Sequence, residues 1–301
     1  MDDHALWELS LETWAALENR YEPAVQSIVE QSGLDGRGWG LLLAALTFEP
    51  EETTPAHLTV RNPYTAAELY LARLRICADK GYLEEYSAGE FRLTVTGRSS
   101  VEQFITQARQ VMMDVDPLAP QDSSRLAKLY KQLVEHCLKT PPPPESWSIT
   151  LSSKLMPSEE PPLPYIEQAM SCLGAYRDDA HLAAWQDTGL SATSLEMMTI
   201  LWRKEVGSFD EIIKKLVFRG YAEQVYEKAL DELRDFKYMS GSRRSPGLTP
   251  EGIAFREKIE QDTNRYFFTP WSCLSEPEKN EMGRFLVELT EGLKETTANN
   301  R

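Results

Sequence analysis

Apolar residues recur every three to four positions along most of the chain, the spacing of amphipathic helices. Leu6, Trp7, Leu11, Trp14 and Leu17 form one stripe and predict a helix over 6–31, in which Pro23 either makes a kink or opens a second helix. Gly33-Leu34-Asp35-Gly36 reads as a turn, and short helices are expected over 38–48 and 54–60. After the break Arg61-Asn62-Pro63-Tyr64, Thr65 with Glu68 three residues on has the form of a capping box, opening a helix that runs to Lys80 and stops at Gly81. Two β-rich runs, 82–86 and 90–95, flank Ser87-Ala88-Gly89 and predict a hairpin. Helices over 98–114 and 122–138 follow, the first with Val101, Phe104, Ala108 and Val111 on its apolar face.

The second half replays this order. Helices are expected over 164–188, 193–204, 208–219, 221–237, 250–268 and 276–293, with a loop over 240–247 where the first half has its hairpin. Tyr70, Leu74, Cys77 and Tyr82 return as Tyr226, Leu230, Leu233 and Tyr238, each 156 positions later, and Gly33-Leu34 returns as Gly189-Leu190 at the same offset. Leu126, Leu129, Tyr130 and Leu133 return as Met282, Phe285, Leu286 and Leu289. Leu93-Thr94-x-x-Gly97 returns as Leu248-Thr249-x-x-Gly252, 155 positions on. Helical periodicity alone matches apolar positions but not two Leu-Thr-x-x-Gly motifs and two Gly-Leu turns, so the chain reads as a tandem duplication. Between Pro141 and Pro164 lie eight of the eighteen prolines, a composition that excludes helix and central strand and predicts a stiff, exposed linker. The expected domains are therefore 1–140 and 164–301, joined by a Pro-rich linker over 141–163.

Each half has the order helix, helix, helix, recognition helix, wing, helix, helix. That resembles the MarR-type winged helix-turn-helix protomer, whose first and last helices make a dimer interface. The second half resembles the SalK-like tandem winged-helix family through 176–184 (Tyr-Arg-Asp-Asp-Ala-His-Leu-Ala-Ala), Gly189-Leu190, Leu248-Thr249-x-x-Gly252, Arg256-x-x-Ile259-Glu260-x-x-Thr263 and Pro270-Trp271. The resemblance covers roughly 163–293 well and the first half more loosely. It implies a mainly α fold with small β wings: two tandem winged-helix modules that form a MarR-like pseudo-dimer within one chain, as a monomer or as a homodimer.

Charge qualifies the functional expectation. The net charge of −15 opposes nucleic-acid binding, but the two helix-to-wing stretches are nearly balanced, with six basic against five acidic residues over 54–98 and eight against eight over 208–252. Double-stranded DNA would be held by Arg61, Thr65, Arg73, Arg75, Arg92 and Arg98 in the first half and by Arg243 and Arg244 at the second wing. Against this, the second recognition helix carries Glu223, Glu227, Asp231, Glu232 and Asp235, whose charge repels phosphate. Two roles stay open: a DNA-binding transcriptional regulator, or a winged-helix scaffold that binds a small molecule or protein and no DNA.

In MarR-like proteins the junction of recognition and scaffold helices binds small effectors. Trp39, Arg177, His181, Trp185, Trp202 and Trp271 are the corresponding candidates for an aromatic effector pocket here, with ordinary core packing as the alternative. Arg177, Asp178, Asp179 and His181 also have the composition of a metal or acid–base cluster, or of a polar helix surface, and no second group completes a metal site. No P-loop, G-x-G-x-x-G, G-x-S-x-G or H-E-x-x-H motif occurs, so neither an enzyme nor a cofactor is expected. Four scattered cysteines, an N-terminus without a signal-peptide pattern and the lack of any long apolar run imply reduced thiols, no membrane span and a cytoplasmic location.

Overall fold

The computed structural model describes residues 1–140 and 147–298, with side chains through 295. The fold is mainly helical with two small antiparallel hairpins. In the first half come α1 (Asp3–Ser32), α2 (Gly36–Phe48), α3 (Pro55–Arg61), α4 (Ala67–Asp79), β1 (Leu83–Ser87), β2 (Glu90–Leu93), α5 (Val95–Asp114) and α6 (Pro120–Cys137). After α7 (Trp147–Ser153), the second half has α8 (Pro162–Trp185), α9 (Ala192–Trp202), α10 (Phe209–Leu216), α11 (Glu223–Asp235), β3 (Met239–Ser242), β4 (Ser245–Leu248), α12 (Pro250–Phe268) and α13 (Glu276–Ala298).

The two halves share their backbone hydrogen bonds as well as their element order. Gly33 and Gly189 both close a helical segment at positive φ, and Asp35 and Ser191, 156 apart, cap α2 and α9. Each recognition helix ends two residues before a residue of positive φ, Gly81 and Lys237, which occupy equivalent places. Tyr82 and Tyr238 then donate their N–H groups back to Cys77 and Leu233, at 3.0 and 2.8 Å. Thr94 and Thr249 return the wing to that tyrosine through N–H bonds of 3.1 and 3.0 Å to the Tyr82 and Tyr238 carbonyls. Their hydroxyls donate to the Gly81 and Lys237 carbonyls, at 2.7 Å in both halves, and accept the N–H of Gly97 or Gly252. This closed circuit requires the Leu-Thr-x-x-Gly motif. Threonine caps the next helix, and a Cβ on the glycine would lie 2.0 or 2.2 Å from the tyrosine carbonyl oxygen. The apolar pairs matched by sequence, Tyr70 to Cys77 with Tyr226 to Leu233 and Leu126 to Leu133 with Met282 to Leu289, are all buried.

Compact units cut across these halves. One unit consists of the described parts of Met1–Thr53, Leu74–Asp179 and Phe267–Arg301; the other consists of Thr54–Arg73 and Ala180–Tyr266. The expected division at 141–163 therefore does not coincide with the compact units, because long helices (α4, α8 and α12) run from one unit into the other. In the first unit α1 packs along α5 and α13. The second unit has its own core, built from Leu182, Trp185, Met197, Met198, Phe209, Ile212, Tyr226, Leu230 and Leu233 among others.

Several local expectations are corrected. Pro23 lies inside a single continuous α1. Residues 239–248 form a hairpin of two four-residue strands, with Ser242 paired to Ser245, where a loop was expected over 240–247. α4 begins at Ala67, so Thr65 lies ahead of the helix and does not open it. The Pro-rich segment is not all linker: 141–146 lie outside the described residues, but α7 follows at once and buries Ile149. Cys77, Cys137 and Cys172 are buried free thiols, and burial raises the pKa of the Cys77 and Cys137 thiols. Among the described residues no helix is long and apolar enough to cross a membrane.

Candidate nucleic-acid interface

Four of the seven arginines expected to meet phosphate, Arg75, Arg92, Arg98 and Arg243, are engaged with carboxylates. In the first unit Arg75 pairs with Glu85 at 3.2 Å, Arg92 pairs with Glu52 and lies 4.0 Å from the centre of the Tyr86 ring, and Arg98 pairs with Glu49. In the second unit Arg243 reaches back from the wing to Glu223 and Glu227 on α11, and its guanidinium sits 4.3 Å from the Phe209 ring centre. These side chains remain largely exposed, so each pair is weak and exchangeable. Arg61 is exposed and Arg73 half-buried, and neither is without partners. Arg244 is exposed and, among the described residues, unpaired.

The acidic helix that opposed DNA binding turns out to be partly internal in its bonding. Glu223 and Glu227 hold Arg243, sixteen to twenty residues away in sequence. Glu232 accepts the Ser191 N–H at 2.8 Å and the Ser191 and Ser194 hydroxyls at 2.5 and 2.6 Å, tying α11 to the start of α9. Helical periodicity does not reveal such pairs because the partners lie on different elements, distant in sequence.

Thr65 is corrected as a groove contact. It is 5% exposed, and its hydroxyl accepts a 3.3 Å bond from Arg219. Beside it, the Ala66 N–H donates to the Arg219 carbonyl at 2.9 Å, and the Tyr221 hydroxyl donates to the Pro63 carbonyl at 3.4 Å. Leu69, in the first turn of α4, fits against Gly220, where an added Cβ would lie 2.8 Å from the Leu69 Cβ. The turn before α4 is thus bonded to the turn before α11, both within the second unit. Arg219 also pairs with the half-sequestered Glu196 at 2.5 Å. Burial raises the Glu196 pKa, and Arg219 opposes that rise.

The six proposed pocket residues fall in both compact units. Trp39, Arg177 and Trp271 lie in the first unit, and His181, Trp185 and Trp202 in the second. Trp39 stacks on Phe104 and donates its Nε1–H to Ser32. Arg177 lies 5.2 Å from the Phe267 ring centre, and the same ring meets Trp271 edge-on. The guanidinium of the buried Arg256 sits 4.9 Å from the Trp202 ring centre, donates to Thr199 and pairs with Glu260.

His181 and Trp185 do share a neighbour, Tyr64, whose ring centre is 6.0 Å from that of Trp185. The Thr263 hydroxyl gives its proton to the Ile259 carbonyl, so His181 Nδ1–H donates to Thr263 Oγ1 at 3.4 Å and Nε2 accepts from the Tyr64 hydroxyl at 2.8 Å. Burial, reinforced by Glu196, holds the Tyr64 hydroxyl well above its ordinary pKa, which keeps its proton in place for that bond.

The Asp179 carboxylate, 4% exposed, accepts the Ser148 and Ile149 N–H groups at 2.9 and 3.1 Å and so caps α7. Among the described residues no three His, Cys, Asp or Glu side chains are grouped as a metal ion would require.

Tyr64, Glu196 and Arg219 were missed as members of any site. Tyr64 and Arg219-Gly220 had been read only as breaks between helices. The available clue was position: Pro63 and Arg219 are 156 apart, as are Tyr64 and Gly220, so they are equivalent turns and candidates for mutual contact.

A helix-turn-helix family model matches residues 152–299. The match supports a helix-turn-helix domain in the second half and, at a coarse level, a DNA-binding regulator. No curated protein and no solved structure matches the chain.

Proposed function

We propose that the chain is a DNA-binding transcriptional regulator, without enzymatic activity, in which a tandem duplication gives one polypeptide the two winged helices of a MarR-like or SalK-like dimer. One observation carries this assignment: the turn, recognition helix and wing occur twice with the same hydrogen-bond circuit, Thr94-Gly97-Tyr82 and Thr249-Gly252-Tyr238. The helix-turn-helix match over the second half supports it. A small aromatic effector has its best-supported place beside Tyr64, His181 and Trp185, which adjoin the turn before α4.

The test is duplex binding at low salt. The regulator should bind with an affinity that falls steeply with added salt, and Arg73→Ala/Arg75→Ala and Arg243→Ala/Arg244→Ala should each weaken it and flatten the salt dependence. No measurable affinity, or affinity indifferent to both pairs, sinks the proposal. The second possibility, a winged-helix scaffold that binds a small molecule or protein, is favoured by the carboxylate partners of Arg75, Arg92, Arg98 and Arg243. It gains if DNA is not bound.

A further inference from the structure

Paired recognition helices read DNA by placing their N-terminal turns in successive major grooves, about 34–36 Å apart. Here the residue before α4 is hydrogen-bonded to Arg219, four residues before α11 starts, at 2.9 Å. Even with those four residues fully extended, the two helix starts lie about 25 Å apart at most. The Leu69–Gly220 contact brings them closer still. The two helices therefore cannot enter successive grooves in this conformation.

We propose that the contact between 63–66 and 219–222 is an autoinhibitory latch: the chain as folded is the DNA-released state, and DNA binding requires the two turns to part. The proposal rests on the regulator assignment above and names its control.

The chemistry of the contact suits a reversible latch. It includes Ala66 N–H to Arg219 O, Arg219 to the Thr65 hydroxyl and Tyr221 hydroxyl to Pro63 O, with the Arg219 guanidinium 5.7 Å from the Tyr64 ring centre and Leu69 packed against Gly220. Polar groups regain bonds to water on opening, whereas an apolar interface of the same size would lose its burial outright. The latch is also tied to the interior: Tyr64 adjoins Thr65 and bonds to His181 on α8, while Arg219 pairs with Glu196 on α9. Whatever moves α8 or α9 against the turns bears on the latch directly. Gly220 fits the same role. It has φ +79°, and any larger residue would strike Leu69.

Two measurements on the full chain test this. Spin labels at Glu68→Cys and Gln224→Cys, exposed equivalent positions on α4 and α11, are read by dipolar spectroscopy against a control carrying neither cysteine. Without DNA the labels should report one distance of about 25 Å or less. A saturating duplex should move the population to about 34 Å. Separately, the charge-neutral pair Tyr64→Phe/Thr65→Val removes the Arg219–Thr65 bond of the latch and the Tyr64–His181 bond that ties it to α8, while leaving the backbone circuit of each wing intact, and should bind the same duplex about tenfold more tightly by raising the competent fraction.

A protein that binds duplex with the short distance unchanged, or a double variant that binds no more tightly, overturns the latch and leaves the regulator assignment standing. A protein that binds no duplex in either form overturns both. If Tyr64→Phe/Thr65→Val unfolds the chain, the distance measurement on the otherwise native sequence decides alone.

Discussion

The two helix–wing sets share a backbone and differ in what their charges do. In the first, Arg92 and Arg98 are held by Glu52 and Glu49, carboxylates that precede α3 and lie off the recognition helix. In the second, Arg243 is held by Glu223 and Glu227 on the recognition helix itself. The same split appears at one position of the helix: Glu232 of α11 ties down the start of α9, while its counterpart Ile76 of α4 is half exposed. The shared circuit needs only N–H groups, carbonyls, one threonine hydroxyl and one glycine. The exposed residues differ between the sets, and those of the second serve internal pairing.

The strongest way to break the comparison is to attack what the sets share. Gly97→Ala and Gly252→Ala each push a Cβ onto a backbone carbonyl oxygen that has no rotamer in which to escape. Each should destabilise the protein by about 3 kcal/mol, the upper range of overpacking, with the two losses alike. Denaturant unfolding of both variants measures this. Tolerance at one glycine alone would show that only one wing depends on the circuit.

That circuit was largely legible beforehand, since the Leu-Thr-x-x-Gly motif and the 156-residue offset mark its members in the sequence. Helix boundaries were also close, because apolar periodicity and caps such as Ser208 are local signals. What periodicity could not show is pairing between polar groups distant in sequence. Arg243 with Glu223, Asp179 with the start of α7, and Thr65 with Arg219 are all of that kind. Charge counting took the α11 carboxylates as solvent-facing, and local capping rules assigned Thr65 to its own helix. The second wing was expected but read as a loop, because Ser-Gly-Ser-Arg-Arg-Ser lacks the β-branched residues that mark strands.

A second asymmetry concerns the long helices. Glu167 of α8, whose counterpart on α1 is the exposed Leu11, accepts bonds from Trp14 and Tyr21 in the first unit. Burial raises its pKa to about 7; Glu18 adds to the rise, and the Trp14 and Tyr21 bonds and Arg109 oppose it. Between the ordinary carboxylate pKa and about 7, the folded chain keeps a proton that the unfolded chain has released. Stability should therefore fall as pH rises through that window and level off above it. Glu167→Gln removes this dependence. At pH 8 the variant should exceed the parent by on the order of 3 kcal/mol, the whole shift at about 1.4 kcal/mol per unit. Parallel unfolding at pH 5 and pH 8 checks it; an identical pH profile for both proteins refutes the assignment.

Glu232 and Ile76 offer a smaller contrast. Glu232→Ala strands the Ser191 and Ser194 donors at the start of α9 and should cost about 1–2 kcal/mol, as for the loss of a helix cap. Ile76→Ala at the equivalent position should cost less than about 0.5 kcal/mol, being a surface change with no such partners to lose. Equal losses would mean that the two recognition helices are anchored alike, and that the divergence described above is superficial.

The finest distinction is electrostatic and shows in binding rather than stability. Glu223→Gln/Glu227→Gln removes two negative charges from the second recognition helix and releases Arg243; Glu49→Gln/Glu52→Gln releases Arg98 and Arg92 but changes no charge on a reading helix. Exposed pairs contribute little to folding, so melting temperatures should hardly move in either variant. Duplex affinity at low salt should rise several-fold in both, and more in the first, because the charges removed there face the phosphates and not merely the cation. The slope of log affinity against log salt should steepen by about one for each cation that gains a phosphate, hence by about one in the first variant and about two in the second. Affinity and slope thus rank the two variants in opposite orders. A scaffold with no DNA site would show neither ranking, and a regulator that reads DNA through its first wing alone would respond only to Glu49→Gln/Glu52→Gln.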